Sequence, residues 1–269
     1  MQILPSKELS PYIKHYLFLE RDKHRIKKLR LFSDGNTGMV FCMEDKLIYG
    51  EEGADYLPNS FIYGQISEYK DLYLVDKASF IIVVFEPDGL SKLLGIAASE
   101  IKDRIISSEE VFGLEGLILH ERLLGQSDFW EKVDILNAFF LKLDPKYSLS
   151  NSLLIQASLH FIIKNKGTST IKQLVKYAGY TERHIERVFS ENVGITPKKF
   201  GNIVKLHSFL KLLKNKAEPG NLTNLCYESN YFDQSHLIKE FKKYTGITPT
   251  QYLHNTYRLA TNFLELNPM

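Results

Sequence analysis

Between Thr170 and Tyr252 the chain writes one construction twice, and no other feature constrains its fold as strongly. After Gly179-Tyr180, the segment Thr181–Phe189 leads into Gly194-Ile195-Thr196-Pro197 and Phe200. Later, Asp233–Phe241 leads into Gly246-Ile247-Thr248-Pro249 and Tyr252. His184 and His236, Phe189 and Phe241, Gly194 and Gly246, and Phe200 and Tyr252 all stand 52 residues apart, so the register holds without a gap. Upstream, Ile171, Leu174 and Ala178 answer to Leu222, Leu225 and Ser229, with one extra residue in the second copy. A solenoid needs three or more stacked units, so two copies read as a duplicated supersecondary unit.

Each copy has the pattern helix, short turn, helix. Thr170 with Gln173 forms a capping box, and Ile171, Leu174, Val175 and Ala178 supply an apolar face. The next helix starts at Thr181, buries Ile185, Val188 and Phe189, and ends at Gly194, which suits a left-handed cap. Arg183, Glu186 and Arg187 are left on its outer face. In the second copy Asp233 is the N-cap, Leu237, Ile238 and Phe241 face inward, and Gly246 closes the helix. Gln234, Ser235, His236 and Lys239 then face outward. Between the copies, Thr196-Pro197 starts a helix with apolar residues from Phe200 to Leu213. About 20 residues of helix span roughly 30 Å, close to the ~34 Å between successive major grooves. One chain could hold two reading heads one turn apart.

From about Leu153 to Leu253 the chain resembles the DNA-binding domain of the AraC/XylS family of bacterial transcription regulators. The doubled Gly-Ile-Thr-Pro, the phenylalanine five residues after each histidine, and Asp233-Gln234-Ser235-His236 carry the resemblance. It implies seven helices in two subdomains joined by one long helix. Two positions depart from the family pattern: Phe209 stands where alanine is usual and Asn230 where the second turn usually has glycine.

Two domains are expected from 269 residues, 1–147 and 148–269, with Asp144-Pro145-Lys146-Tyr147-Ser148 as the connection. Charge divides the same way. Met1–Leu149 holds 18 Lys and Arg against 24 Asp and Glu, whereas Ser150–His254 holds 15 against 7. A basic half on an acidic half fits a nucleic-acid-binding domain joined to one that need not touch DNA. Cys42 and Cys226 are too few for a disulfide framework or a cysteine-rich zinc site and read as buried residues in a reducing compartment. No signal peptide precedes Pro5 and no apolar run reaches the ~18 residues of a membrane span, so a cytoplasmic protein is expected.

The first half reads as short strands: Tyr12–Glu20, then apolar runs at Gly38–Cys42, Lys46–Tyr49, Phe61–Tyr63, Leu72–Val75 and Phe80–Phe85. Asp34-Gly35, Glu52-Gly53, Pro58-Asn59 and Pro87 punctuate them, as in an antiparallel sandwich or barrel. The cluster His24–Arg30 reads as a solvated edge. After Pro87 the pattern turns helical. Asp88 can cap a helix through Leu90, Leu93 and Leu94, and Phe129–Leu143 gives a longer one with Trp130, Val133, Leu136, Phe139 and Phe140 as its apolar positions. Asn151–Ile163 opens the second half with Leu153, Leu154, Ala157, Phe161 and Ile162 on one face. The fold class is α+β, with a small cupin-like β-barrel and helices before an all-α domain. Tyr63-Gly64-Gln65 with Val83–Leu90 resembles a variant of the cupin-like sensor domains that precede this DNA-binding domain. Metal-binding cupins need His-x-His; none occurs, and His15, His24 and His120 are isolated, so neither metal nor cofactor is expected. Tyr49, Tyr56, Phe61, Tyr63, Tyr69, Tyr73, Phe80 and Phe85 either pack the barrel interior or line an effector pocket.

Carried over from the family motif, the base-reading residues are Arg183, Glu186 and Arg187 in the first head and Gln234, Ser235, His236 and Lys239 in the second. Arginine pairs with guanine O6 and N7, glutamate accepts from cytosine N4, and glutamine suits adenine. An Arg–Glu pair within the helix, with no base role, is the competing reading for the first head. Phosphate contacts are expected from Thr170, Lys172, Lys198, Lys199, Thr223, Lys242 and Lys243. The chain therefore reads as a transcription regulator, activator or repressor, and not an enzyme. Its expected partners are double-stranded promoter DNA, RNA polymerase, a small-molecule effector and a second copy, for which Phe129–Leu143 is a candidate pairing helix and equally a plain core helix. The alternative is a DNA-repair enzyme using the same DNA-binding half. That chemistry needs a nucleophilic cysteine cluster, and Cys42 stands alone in the first half. A regulator without any ligand is a third reading.

Overall fold

The computed structural model describes residues 1–21, 27–44, 47–49, 56–74, 78–143, 149–216, 222–255 and 258–266. His24, the turn at Glu52-Gly53, the connection 144–148 and the side chain of Thr223 lie outside the described residues.

Eight strands come first: β1 (Gln2–Ile3), β2 (Ile13–Arg21), β3 (Lys27–Leu31), β4 (Gly38–Cys42), β5 (Leu47–Tyr49), β6 (Ser60–Tyr63), β7 (Lys70–Leu74) and β8 (Ala78–Phe85). Helix α1 (Gly89–Leu94), strand β9 (Ile105–Ser107) and helices α2 (Ser108–Phe112), α3 (Leu114–Leu124) and α4 (Phe129–Leu141) follow. The helical half comprises α5 (Leu149–Lys164), α6 (Ile171–Ala178), α7 (Glu182–Val193), α8 (Pro197–Lys216), α9 (Leu222–Glu228), α10 (Gln234–Thr245) and α11 (Pro249–His254). The chain ends on β10 (Arg258–Ala260) and β11 (Phe263–Leu266).

The strands form two antiparallel sheets, ordered β1-β2-β8-β4-β6-β9 and β10-β11-β3-β7-β5. The expected barrel is thus not closed. Its edge strands β1, β5, β9 and β10 are two or three residues long, too short to carry a ladder from one sheet to the other. The six-stranded sheet is covered on both faces, which explains its unbroken apolar runs. Met39, Phe41, Ile81, Val83 and Phe85 face α1, α3 and α4, while Val40, Cys42 and Phe80 face the second sheet. Strand alternation divides the two sets.

Three sequence expectations are corrected here. Trp130 is 63% exposed, because α4 buries Val133, Leu136 and Phe140 instead. Leu153 is likewise exposed, since Leu154, Ile155, Leu159 and Ile162 define the buried stripe of α5. Asp88 makes no side-chain cap bond; its carboxylate pairs with Lys92 at 2.7 Å, both buried.

The seven helices of the second half share one core, to which Phe32 and Leu264 of the sheet half also belong. The two departures from the family pattern are accommodated. Phe209 is fully buried and meets Tyr231 and Phe241 edge-on at 6.1 and 5.8 Å. Asn230 adopts φ 57°, the left-handed conformation that asparagine tolerates better than most non-glycine residues, so it turns the chain as glycine would.

Strands β10 and β11 were not foreseen. Although they follow the last helix, they join the sheet of the first half, with Phe263, Leu264, Glu265 and Leu266 opposite Leu31, Arg30, Leu29 and Lys28.

Candidate nucleic-acid interface

Helices α7 and α10 are built alike. Thr181 Oγ accepts from the His184 N–H, and an Asp233 carboxylate oxygen accepts from the His236 N–H at 2.7 Å. Gly194 and Gly246 end the two helices at φ 86° and 71°. Ile185, Val188, Phe189 and Val193 anchor α7 in the core, as Leu237, Phe241, Tyr244 and Thr245 anchor α10. Their opposite faces stay in solvent. Arg183, Glu186, Arg187, Gln234, Ser235, His236 and Lys239 are all exposed. So are Thr170, Lys172, Lys198, Lys199, Lys242 and Lys243. The 20-residue α8, opened by Thr196 and Pro197, separates the two heads.

An Arg–Glu pair within the helix, the competing reading for the first head, is present, with Arg187 joined to Glu191. Arg187 Nη1 donates to both carboxylate oxygens of Glu191 at 2.8 and 2.9 Å, one turn further on. Both residues are exposed, so the pair is worth about 0.3–0.5 kcal/mol and is easily exchanged for another anion. Two aromatic residues escaped the sequence reading. Tyr180 precedes the N-cap of α7, is half exposed and stacks on His184 with centroids 5.2 Å apart. Phe232 precedes the N-cap of α10 and is 86% exposed. A residue there ordinarily folds back on the first turn as a hydrophobic staple. The inserted residue in the second turn leaves Tyr231 buried against Phe209 and projects Phe232 outward. The repeat offset was the available signal, since N-caps Thr181 and Asp233 lie 52 residues apart whereas the preceding helices lie 51 apart.

Residues 174–255 match the family model of a helix-turn-helix domain. The second half carries an AraC-type helix-turn-helix domain. Residues 1–107 match a domain of unknown function (DUF6597). An uncharacterized HTH-type transcriptional regulator of Haemophilus influenzae is 25% identical over 150 residues, 51% of this chain and 49% of that protein. The chain thus spans about half the length of the curated relative it matches. Among solved structures, ToxT from Vibrio cholerae O395 is 12% identical, with 91% of this chain and 97% of that one covered and a TM-score of 0.47. A probable AraC family transcriptional regulator from Rhodopseudomonas palustris is 22% identical, with 36% and 92% covered and a TM-score of 0.33.

The AraC-type domain is docked on the sheet half at both of its heads. The last carbonyls of α7 find donors across the boundary: Ser91 Oγ donates to Asn192 O at 2.8 Å, and the Ala98 N–H donates to Glu191 O at 2.7 Å. Gly194 packs on the Ala98 carbonyl and Gly246 on Arg30 and Tyr69. Arg30 itself lies over the Tyr69 ring at 4.0 Å and is bound by Asp71 at 2.6 and 2.7 Å. On α8 of the AraC-type domain, His207 Nε2 donates to Ser33 O at 2.9 Å, and burial lowers the imidazole pKa from its ordinary 6.5. No three His, Cys, Asp or Glu side chains come together among the described residues in a manner that could hold a metal. His120, isolated in the sequence, is buried with its Nε2 bonded to Cys42 O at 2.8 Å.

Proposed function

We propose that this protein is a sequence-specific DNA-binding transcription regulator whose helices α7 and α10 enter successive major grooves. One observation carries the reading: two equivalent capped helices on a common core, each with its polar face exposed. Arg183, Glu186 and Arg187 would read one half-site and Gln234, Ser235, His236 and Lys239 the other. Thr170, Lys172, Lys198, Lys199, Thr223, Lys242 and Lys243 would hold phosphates. The division at residues 147 and 148 is proposed as a functional boundary only, since strands β10 and β11 return to the sheet of the first half. RNA polymerase, a second copy of the chain and a small-molecule effector bound by the first half complete the proposed partners.

Catalysis by cysteine finds no support in the two thiols described. Cys42 and Cys226 are both buried thiols, and burial pushes the Cys226 thiol pKa up, away from the reactive thiolate. No helix among the described residues is long and apolar enough to cross a membrane; a cytoplasmic regulator is the proposed setting.

The test is selection from a pool of random duplex DNA by the full-length protein at near-physiological salt. Enrichment of a site with two short blocks about one helical turn apart is the expected result. A pool that remains featureless at every salt concentration tried would sink the reading.

A further inference from the structure

A cavity of about 350 Å³ lies between the two sheets. Val40, Phe61 and Ile82 line it from one sheet and Leu31 and Leu72 from the other, and the remaining wall includes Phe263 from the end of the chain. Its size falls within the range of small-molecule sites, and its lining is predominantly apolar.

Strand β11, which supplies Phe263, serves two cores at once. Phe263 belongs to the core between the sheets, whereas Leu264, fully buried, belongs to the core of the AraC-type domain. Alternation along a strand puts neighbouring side chains on opposite faces, so β11 is a wall shared by the cavity and the DNA-binding half. The same segment is tied to the end of that half. Tyr252 donates its hydroxyl to Thr261 O at 2.9 Å, and Asn255 Nδ2 donates to Glu265 O at 2.8 Å. Tyr252 in turn packs edge-on against Phe241 of α10, with centroids 5.9 Å apart. On its other side, β11 pairs Leu264 with Arg30, the residue against which Gly246 closes α10. Two contact routes therefore run from the cavity wall to the second reading helix, one through Tyr252 and Phe241 and one through Arg30.

We propose that β11 is the lever through which an apolar small molecule held in this cavity changes DNA binding by α10. This rests on the proposed function and adds to it the path by which an effector in the first half acts on the second reading helix. A ligand shifts the equilibrium only by its differential affinity for the two arrangements, and the coupling is reciprocal. Displacement of Phe263 by the ligand supplies that difference. Because Leu264 and Tyr252 are close-packed, the strand cannot move without moving its partners.

The test uses the full chain, the DNA site obtained by selection, and 8-anilinonaphthalene-1-sulfonate as an apolar fluorescent probe. In the wild type the probe is expected to bind one site per chain, to change the Kd for the duplex by about fivefold or more, and to have its own Kd changed by the same factor. Phe263→Ala should still bind the probe but show less than about twofold coupling. Phe263→Leu, which keeps the wall, serves if the alanine variant fails to fold, and should show an intermediate value. Hydrogen exchange in residues 258–266 should change on probe binding even without DNA. Duplex binding that the probe leaves untouched, absence of probe binding, or full coupling in both variants would overturn the inference and leave the regulator standing. Failure of the wild type to bind any duplex would overturn the regulator and the lever with it, and the exchange measurement would still show whether β11 answers to the cavity.

Discussion

Gly194 and Gly246 lie 52 residues apart, end the two reading helices in the same left-handed turn, and both abut the sheet half of the molecule. The duplication that fixes the heads has thus also fixed the places where the other half touches them. A side chain at either position meets two obstacles, the positive φ and a neighbour already in contact. The left-handed conformation alone costs an L-residue about 1–2 kcal/mol. At Gly194 the neighbour is the backbone carbonyl of Ala98, which cannot turn aside. At Gly246 it is the ends of the Arg30 and Tyr69 side chains. Both alanine variants should unfold at lower urea concentration than the wild type, with Gly194→Ala the more affected. Equal midpoints for wild type and variants would show that these contacts are not close in solution.

The legible parts of this fold were those set by local chemistry. Thr170 with Gln173, Asp233, Thr196-Pro197 and the two cap glycines marked helix ends correctly because a cap bond or a left-handed turn is decided within four residues. Contacts between segments far apart in sequence were not legible. Nothing local to Phe263-Leu264 says that one side chain will serve the sheet core and the other the helical core. Trp130 and Leu153 count as apolar positions by residue type, yet their helices turn other residues to the core. In the candidate interface, exposure of the seven side chains proposed to read bases follows from the buried stripes of α7 and α10. The Arg187–Glu191 pair and the projection of Phe232 depend on rotamer and turn geometry that the repeat alone does not specify.

His207 makes stability depend on pH. Burial, the largest cause, lowers its pKa from 6.5, and the neutral ring donates to Ser33 across the boundary between the halves. Below pH 6.5 the unfolded chain takes up a proton that the folded chain resists, so stability is full above that pH and falls as pH drops toward the folded pKa. His15 is shifted the same way, again mainly by burial. Thermal unfolding should occur at a lower temperature at pH 5.5 than at pH 7.5. His207→Gln, which keeps a donor without a titrating ring, should narrow that gap but not abolish it.

Phe232 tests whether the turn before α10 touches DNA. At 86% exposure its ring contributes little to folding, so Phe232→Ala should change stability by less than about 0.5 kcal/mol. A ring beside the N-terminus of a reading helix can contact a thymine methyl, the one apolar group on a major-groove edge. Replacing single thymines of the selected site by deoxyuracil should weaken the wild type at one position, and Phe232→Ala should be insensitive there. Identical thymine dependence in the two proteins would place the ring away from the bases.

Arg187 and Lys198 separate base reading from phosphate binding. On the proposed reading Arg187 would exchange its Glu191 partner for a guanine edge on binding, and the exposed pair it gives up is worth only a few tenths of a kcal/mol. Arg187→Ala should therefore lose about 1–3 kcal/mol of binding at the selected site and relax its preference at a single base pair, while folding stability changes little. Lys198 is exposed at the start of α8 and has no base within its proposed reach. Lys198→Ala should weaken selected and random duplexes alike and reduce the slope of log K against log salt by about one. Glu191→Ala, which frees Arg187 beforehand, should bind DNA at least as tightly as the wild type. Fluorescence anisotropy over a salt series measures all three, and loss of preference in Lys198→Ala but not in Arg187→Ala would reverse the two assignments.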